Sequence, residues 1–437
     1  MSADPPGPQG PLSGVRVIDV TNVVFGAYGT SILADLGADV IKVEAPRTPL
    51  GGAGGDVMRY PGHPPEGSPP GMGPIFLTIN RNKRSVVIDL TQEAGRAALL
   101  ALVGTADLFI SNMRLAALQR LGLGYEDLKA VRPDLIYVHC AGYGRGGPYD
   151  GRPAYDDVIQ AQSGLASLSS RIDGGPPRFV PSIIGDKTAG LFMAYATMAA
   201  LFHRERSGEG QMVEVPMLEC LTSFLLVEHL FDQAYDPPTG DWTYQRIATA
   251  DRKPYRTRDG FIVVMPYSDQ NWRDFFILTE AAPELAADPR FVSYEARSRN
   301  YLWIYSAIEE LLFPRTTKEW MTLFTEKGIP CATVNQLDDL KTDAHLCAVE
   351  FFQRRIHPDV GAYFAIKHPV QFSATPAGIR CDAPRLGQHT DEILQELGLV
   401  WRRPSRGVGT PLHRHVAHAP AARRPRRGLA LPSGAGG

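Results

Sequence analysis

The sequence predicts an α/β protein in which a largely parallel sheet forms a large domain and a second, smaller α/β domain follows. Three observations predict this class. Short β-branched runs alternate with segments of helical spacing over residues 12–232, a pattern typical of βαβ units with helices on both faces of the sheet. The break at residues 237–240 precedes a region with a strand of its own, and 437 residues suffice for two or three domains.

The elements follow one another in chain order. Apolar runs predict strands at residues 15–20, 40–44, 85–90, 107–111, 134–140 and 211–215. Helical spacing predicts helices at residues 27–36, 93–104, 187–205 and 218–232. The smaller domain is expected at about residues 255–334, with a strand at 260–265. Ligands of a parallel sheet bind beyond the carboxyl ends of its strands, so functional residues are expected there.

Composition limits the function classes. The 45 Lys and Arg residues nearly balance 47 Asp and Glu residues, so no general attraction to nucleic acid is expected. No apolar run approaches the ~20 residues of a membrane span, and the N-terminus lacks the features of a signal peptide. The five cysteines form no C-x-x-C pair, which favours reduced thiols and a cytoplasmic protein. We expect disorder in both Pro-rich ends, residues 1–11 and 401–437.

Two common ligand classes are not predicted. Glu44 ends the second strand, where a ribose-binding acid of a dinucleotide site would stand, but residues 21–29 lack G-x-G-x-x-G and the chain has no P-loop motif. The histidines are isolated or lie in the C-terminal tail, so we predict no metal site.

Asp186 stands at the start of the helix predicted at residues 187–205, between Gly185 and Gly190. One interpretation is a helix cap, because helix N-termini favour an ionised carboxylate. The other is a carboxylate nucleophile, which needs an ionised oxygen and small neighbours that let a substrate approach. The residues alone leave both open.

Two charged segments also have two interpretations each. Asp156 and Asp157 follow a glycine-rich turn and are either solvated charges or a pair of catalytic acids. The segment at residues 80–84 is either a solvated basic loop or a site for a phosphorylated ligand. Arg114 and Arg120 would extend the same positive surface if the sheet order brings the loops together.

A series of ordered motifs between Leu12 and about Leu399 resembles the family III CoA-transferases of the CaiB/BaiF type, the superfamily of formyl-CoA transferase and alpha-methylacyl-CoA racemase. The motifs occupy residues 11–19, 36–44, 80–90, 121–125, 142–148, 185–190, 207–211 and 386–392. The resemblance implies an interlocked homodimer with a Rossmann-like large domain built from both chain ends. The large CoA-binding domain would comprise residues 12–232 and a return segment, 336–400, with the small domain and its linkers at 233–335.

The resemblance also implies an activity. The family's catalytic aspartate falls on Asp186, which would form a mixed anhydride with the acyl group of an acyl-CoA donor and then an aspartyl-CoA thioester. A carboxylic acid acceptor would take the CoA by the reverse steps. No cofactor is implied beyond coenzyme A, which is a substrate. Carried over by position, the CoA-binding residues would be Val24, Phe25, Ile79, Asn80, Arg81, Asn82, Asn112, Met113, Arg120, Ala154, Tyr155 and Asp156.

Departures from the family pattern narrow the activity. Racemases of the family have a histidine where Tyr155 stands, so a racemase or epimerase acting on the alpha carbon of a 2-methylacyl-CoA is the alternative. Formyl-CoA and oxalyl-CoA transferases have a glutamine at the position of Val24, which disfavours an oxalate enzyme. Ala45 replaces a frequent arginine, and whether Arg47 substitutes for it stays open. In the small domain, Arg246 either binds the distal carboxylate of a dicarboxylic acid or is an exposed loop residue. The donor and acceptor stay open.

Overall fold

The structure, a computed structural model, describes residues 10–47 and 53–399. Its large sheet has six strands, which are β1 (Arg16–Val20), β2 (Asp39–Glu44), β3 (Lys83–Val87), β4 (Leu108–Ser111), β5 (Ile136–Ala141) and β6 (Met212–Pro216). Every pairing between neighbours is parallel, and the strand order is β3-β2-β1-β4-β5-β6. The predicted parallel α/β class is confirmed, with the strand order of a Rossmann fold.

Helices connect these strands and cover both faces of the sheet. They are α1 (Phe25–Asp35), α2 (Pro74–Ile79), α3 (Glu93–Val103), α4 (Leu115–Arg120), α5 (Tyr125–Val131), α6 (Asp156–Gln162), α7 (Leu165–Asp173), α8 (Ile184–Ser207) and α9 (Met217–His229). One apolar cluster joins α1, α8 and α9 to the sheet, and another joins α3 and α5 to the opposite face. The strands are buried on both faces, which explains their nearly continuous apolar sequences.

Strand β3 begins earlier than its sequence predicts. We expected a strand at residues 85–90, whereas β3 runs from Lys83 to Val87. Lys83 is fully buried and breaks the apolar pattern by which a buried strand is recognised. Its side chain is satisfied by polar partners instead of solvent, and these lie on other elements.

A buried charge cluster lies between the sheet and α1. The Lys83 Nζ atom lies 3.1 Å from Asp19 Oδ2 and donates to Asn80 Oδ1 at 2.9 Å, to Thr30 Oγ1 at 2.9 Å and to the Ala27 carbonyl at 3.0 Å. Burial alone would raise the pKa of Asp19, but nearby lysines lower it to about 2. Burial lowers the pKa of Lys83 to about 8. Both groups are therefore charged near neutral pH.

The region predicted to be the small domain has its own sheet and its own apolar core. Strands β7 (Tyr255–Arg256), β8 (Phe261–Val264) and β9 (Cys331–Thr333) are antiparallel, and β8 occupies the position of the predicted strand at 260–265. The helices are α10 (Asp269–Leu278), α11 (Pro283–Ala286), α12 (Tyr294–Arg299), α13 (Tyr301–Leu312) and α14 (Thr317–Glu326). Their aromatic and aliphatic side chains form a separate cluster.

The chain then returns to the large sheet through α15 (Ala344–Ala348), the hairpin of β10 (Phe352–His357) and β11 (Gly361–Ile366), and α16 (Thr390–Glu396). The His389 N–H donates to the Ser85 carbonyl at 2.9 Å, and His389 Nδ1 accepts from the Ser85 N–H at 3.1 Å. The motif at residues 386–392 therefore covers the edge of β3, where unpaired backbone groups would otherwise be exposed.

The predicted ends of the chain fall mainly outside the described residues, since residues 1–9 and 400–437 are not described. Gly10 was expected to belong to a disordered segment, but it is buried against Leu36, and its carbonyl accepts from the Ser13 N–H. None of the helices within residues 10–47 and 53–399 combines the length and the hydropathy that a membrane span requires.

Candidate active site

Asp186 lies in the first turn of α8, near the carboxyl edge of the large sheet. It is the third residue of the helix, and Ile183 occupies the cap position. The interpretation of Asp186 as the capping residue is therefore wrong. Its side chain is buried, with 7% exposed.

The position of Asp186 depends on a close crossing of α1 and α8. A Cβ atom at Gly190 would lie 2.8 Å from Tyr28 Cδ1 and 3.0 Å from the Phe25 carbonyl oxygen. A Cβ atom at Gly29 would lie 2.9 Å from the Gly190 carbonyl oxygen. Only glycine permits both approaches, so the pair brings the first turns of the two helices together.

The electrostatics of Asp186 result from burial and one neighbouring acid. Its pKa is raised to about 7 chiefly by burial and to a smaller extent by Asp156, while a hydrogen bond from the Phe25 backbone opposes the rise. Phe25 is the first residue of α1, so the N-terminus of α1 faces the carboxylate, which itself lies in the first turn of α8. A weakly solvated carboxylate held by a backbone donor is suited to nucleophilic attack.

Asp156 supports the same turn. Its Oδ1 atom accepts from the Asp186 backbone N–H at 3.0 Å, and its Oδ2 atom accepts from Gln160 Nε2 at 2.6 Å. Asp156 is 6% exposed, whereas Asp157 is exposed. The interpretation of both acids as solvated charge is therefore wrong for Asp156, whose burial depends on a partner 30 positions away.

The loop between β1 and α1 is held by residues from three other segments. Val23 has φ of 67°, a conformation that is strained for a β-branched residue. Its N–H donates to Asp56 Oδ1 at 3.1 Å, and Asp56 Oδ2 lies 2.9 Å from Lys42 Nζ. Asn112 accepts from the Asn22 N–H and donates to the Asn22 carbonyl. Sequence reasoning missed Asp56 and Lys42, although a lysine inside an apolar strand is itself a signal of a buried partner.

Several predicted CoA-binding residues do lie around this loop. Val24 and Ile79 belong to one small apolar cluster beside α1. Asn112 and Met113 follow β4, and the Met113 carbonyl oxygen lies 3.1 Å from His139 Nε2. Ala154 and Tyr155 precede α6, and Tyr155 is 67% exposed. These positions surround the carboxyl edge of the sheet, and their contact with CoA stays a prediction.

The residues before and at the start of β3 that were predicted to bind CoA make contacts within the protein. Arg81 makes an ion pair of 2.6 Å with Asp35, at the end of α1 opposite Phe25. Asn82 donates to Asp35 Oδ1 and accepts from the backbone N–H groups of Arg380 and Cys381. The Arg81 and Asn82 side chains therefore join α1 to the return segment, and the structure does not bring them to Asp186. The Asn80 side chain is bonded to Lys83.

The remaining arginines predicted to bind phosphate groups are exposed to solvent. Arg114 and Arg120 are exposed, and among the described residues neither forms an ion pair. Arg120 Nε donates only to the Ala116 carbonyl in its own helix. Arg47 is exposed at the end of the described segment 10–47. The exposed guanidinium groups are available to bind phosphate groups, as the sequence predicts for Arg120.

Glu44 is not available as a ribose ligand. Arg59 approaches its two carboxylate oxygens at 2.7 and 2.6 Å, and Ser85 Oγ donates to it at 2.5 Å. This fully buried arrangement agrees with the absence of a dinucleotide motif. In the described parts of the chain, no group of three or more His, Cys, Asp or Glu side chains could hold a metal ion.

Replacing Gly190 with alanine is expected to force the two helices apart. Overpacking of this kind should lower the free energy of unfolding by about 1–3 kcal/mol. Because Asp186 and Phe25 would separate, the reaction rate should fall by roughly 10- to 100-fold. Denaturant unfolding and steady-state kinetics measure both effects. Gly378→Ala is the matched control, since nothing lies within 4 Å of a Cβ atom there; equal behaviour of the two variants would contradict the role of the crossing.

Comparisons with known proteins agree with this geometry. A sequence model described as CoA-transferase family III matches residues 12–390. The chain is 33% identical over 402 residues to an acyl-CoA transferase of Fusarium pseudograminearum, covering 90% of this chain and 86% of the relative. It is 30% identical over 407 residues to the human succinyl-CoA:glutarate CoA-transferase, covering 91% of this chain and 88% of the relative.

Solved structures show the same similarity. A crystal structure of a hypothetical protein from Mycobacterium tuberculosis has 30% identity and a TM-score of 0.75, covering 89% of this chain and 100% of that one. A CAIB/BAIF family protein from Brucella suis has 28% identity and a TM-score of 0.73, covering 89% of this chain and 100% of that one. The resemblance stated from the motifs is therefore confirmed: the chain belongs to CoA-transferase family III and is an enzyme of the transferase type.

Proposed function

We propose that this enzyme moves CoA from an acyl-CoA thioester to a free carboxylic acid, with Asp186 as the nucleophile. The observation that carries the proposal is the buried Asp186 carboxylate, which lies in the first turn of α8 and next to the N-terminus of α1. A homodimer, which the resemblance implies, and a cytoplasmic location, which the cysteine pattern favours, belong to the same proposal.

The first half of the reaction transfers CoA to the enzyme. An oxygen of the Asp186 carboxylate attacks the thioester carbonyl and expels CoA thiolate, which leaves a mixed anhydride. The thiolate then attacks the aspartyl carbonyl of that anhydride. The donor acid departs, and an aspartyl-CoA thioester remains.

The second half reverses these steps with the acceptor. The acceptor carboxylate attacks the aspartyl thioester and expels CoA thiolate, which gives a second anhydride. Attack of the thiolate on the acceptor carbonyl releases the new acyl-CoA and restores the Asp186 carboxylate. One thioester is exchanged for another, so the protein needs to position the groups and exclude water rather than supply a strong acid or base.

The residues around Asp186 support these requirements. The Phe25 N–H bonds to the carboxylate and can also stabilise negative charge that develops during attack. Asp156 fixes the turn through the Asp186 backbone, and burial keeps water from the reactive anhydride. Gly185 lets Asp156 approach this turn closely, because a Cβ atom at Gly185 would lie 3.1 Å from Asp156 Oδ1.

The racemase alternative has weaker support. Proton removal and return at an alpha carbon on opposite faces needs two bases. Asp156 is one carboxylate near Asp186, but the neighbouring position holds Tyr155, whose side chain is 67% exposed. Similar proteins are named for the transfer of CoA from succinyl-CoA to glutarate and from acetyl-CoA to oxalate. These support transfer and leave the acid open.

Trapping the covalent intermediate tests the proposal. The enzyme is incubated with succinyl-CoA or acetyl-CoA and a panel of mono- and dicarboxylic acids, treated with hydroxylamine, and digested for mass spectrometry. We expect CoA to move between acids and a hydroxamate to form at Asp186 only when a thioester is present. Asp157→Asn should behave as wild type, because Asp157 is exposed. Exchange of the alpha proton of a 2-methylacyl-CoA with deuterated water, without transfer or adduct, would establish the racemase instead.

A further inference from the structure

We propose that a pocket in the small domain binds the carboxylate of a short organic acid, with Arg246 as the anion-binding group. Where that acid is the one that exchanges CoA, the inference rests on the proposed function. The pocket lies among the end of β8 and helices α10, α12 and α13. Its walls include Arg246, Tyr267, Trp272, Tyr294, Tyr301 and Tyr305.

Arg246 is the cation of this pocket that lacks a carboxylate partner. Within residues 10–47 and 53–399 it forms no ion pair, and it is only partly exposed. The other arginine of the pocket, Arg297, lies 2.6 Å from Asp269 and is thereby neutralised. A partly buried positive charge without a counter-ion favours binding of an anion.

Tyrosines hold the Arg246 guanidinium in place. Its Nε atom donates to the Tyr305 hydroxyl at 3.1 Å, and Tyr244 is a second hydrogen-bond partner. A guanidinium carries five N–H donors in one plane, so donors remain after these bonds. The remaining donors form the planar fork that a carboxylate fits with two parallel hydrogen bonds.

The aromatic walls indicate what else the ligand carries. Trp272 is 7% exposed and forms the inner wall, while Tyr267 and Tyr294 are 60% and 52% exposed with ring centroids 6.0 Å apart. These rings would pack against a short hydrocarbon chain. One unneutralised guanidinium with apolar walls suits a single carboxylate on a carbon chain better than a doubly charged phosphate.

Two sources could supply this carboxylate. It is either the carboxyl group of a dicarboxylic acid remote from the one that receives CoA, or the carboxylate of a separate acid that does not react. The chemistry of recognition is the same, and the two sources differ in their kinetic effect. The experiment therefore has a binding arm and a kinetic arm.

In the binding arm, calorimetry measures glutarate and its monoamide on the full chain without CoA, so that no turnover occurs. Glutarate should bind the wild type, and Arg246→Gln should weaken it by at least about tenfold, as expected for a lost charge-assisted pair. Arg246→Lys should keep part of the affinity, and Tyr305→Phe should weaken binding without removing the charge. Arg273→Gln is the matched control, because Arg273 is exposed on α10 and bonds to Gln270 outside the pocket.

In the kinetic arm, CoA exchange is measured with glutarate and with butyrate as acceptors. A rise in KM for glutarate alone in Arg246→Gln, with kcat retained, identifies the remote carboxylate of the substrate. Lost binding with both KM values retained identifies a separate acid. The proposal is overturned if glutarate does not bind the wild type. It is also overturned if Arg246→Gln and Tyr305→Phe both bind glutarate as tightly as the wild type does. Failure of the proposed function would appear instead as absence of exchange by the wild type, and would leave the binding arm readable.

Discussion

Asp186→Asn is expected to abolish CoA transfer while making the protein more stable. The asparagine amide keeps an oxygen that can accept from the Phe25 backbone, so the turn should hold its shape. The amide cannot attack a thioester, and loss of a nucleophile should lower the rate by at least about 10⁴-fold. Steady-state exchange with the best donor and acceptor measures this loss.

The stability gain should depend on pH, with a sign set by the raised pKa of Asp186. Because the pKa is about 7 in the folded protein, the folded state holds this proton more tightly than the unfolded chain. Wild-type stability is therefore lost as the pH rises from the ordinary aspartate range through about 7. Asparagine does not ionise, so its advantage should be small near pH 4, grow through that range and level off at a gain on the order of 4 kcal/mol.

Denaturant unfolding at several pH values measures this gain. The activity of the wild type should rise over the same range, because only the ionised carboxylate is a nucleophile. Asp157→Asn is the control for the loss of one acid, since Asp157 is exposed in the same part of the chain. An Asp186→Asn protein that transfers CoA, or whose stability gain does not vary with pH, would contradict the assignment.

Lys83→Met is expected to lower the free energy of unfolding more than any of the other substitutions. Methionine fills much of the same space, but Asp19 would keep a buried charge without its 3.1 Å partner, and the Thr30 and Asn80 side chains would lose a donor. Breaking a buried ion pair by removing one partner costs about 3–5 kcal/mol. Denaturant unfolding with a two-state fit of the wild type and the variant measures the difference.

A second substitution separates the charge from the loss of packing. Asp19→Asn combined with Lys83→Met removes both charges, and it should recover a large part of the lost stability because no uncompensated carboxylate remains. Lys129→Met is the control, since Lys129 is exposed on α5. If the double variant is as unstable as Lys83→Met, the effect comes from packing and not from the unpaired charge.

Local patterns predicted much of the six-stranded sheet. The strands β1, β2, β4, β5 and β6 were found within two residues of their predicted bounds, because a strand buried on both faces is a short apolar run. Strand β3 runs from Lys83 to Val87 and not over the predicted residues 85–90, so both of its ends were misplaced. Its start was hidden because Lys83 is charged and buried, and the burial of a charge depends on partners that the local sequence does not show. The same reason hid Lys42 and Asp56.

The candidate active site was likewise predictable only in part. Asp186 could be singled out from its neighbouring glycines and its helix start, but the residues alone could not separate a cap from a nucleophile. Burial of Asp156 and its bond to the Asp186 backbone join α6 to α8, and no periodicity encodes that contact. Arg81 looked like a free cation in a basic loop, yet Asp35, 46 positions earlier, neutralises it.

The α/β class, the course of the main elements and the family could all be predicted from the chain, because apolar periodicity and ordered motifs are local properties. Which charges are buried, which cations lack a partner and how Asp186 is held became visible only in the folded protein. Those properties arise when distant segments pack. The crossing of α1 and α8 at Gly29 and Gly190 brings the Phe25 N–H to the Asp186 carboxylate, and burial there raises the pKa of that acid.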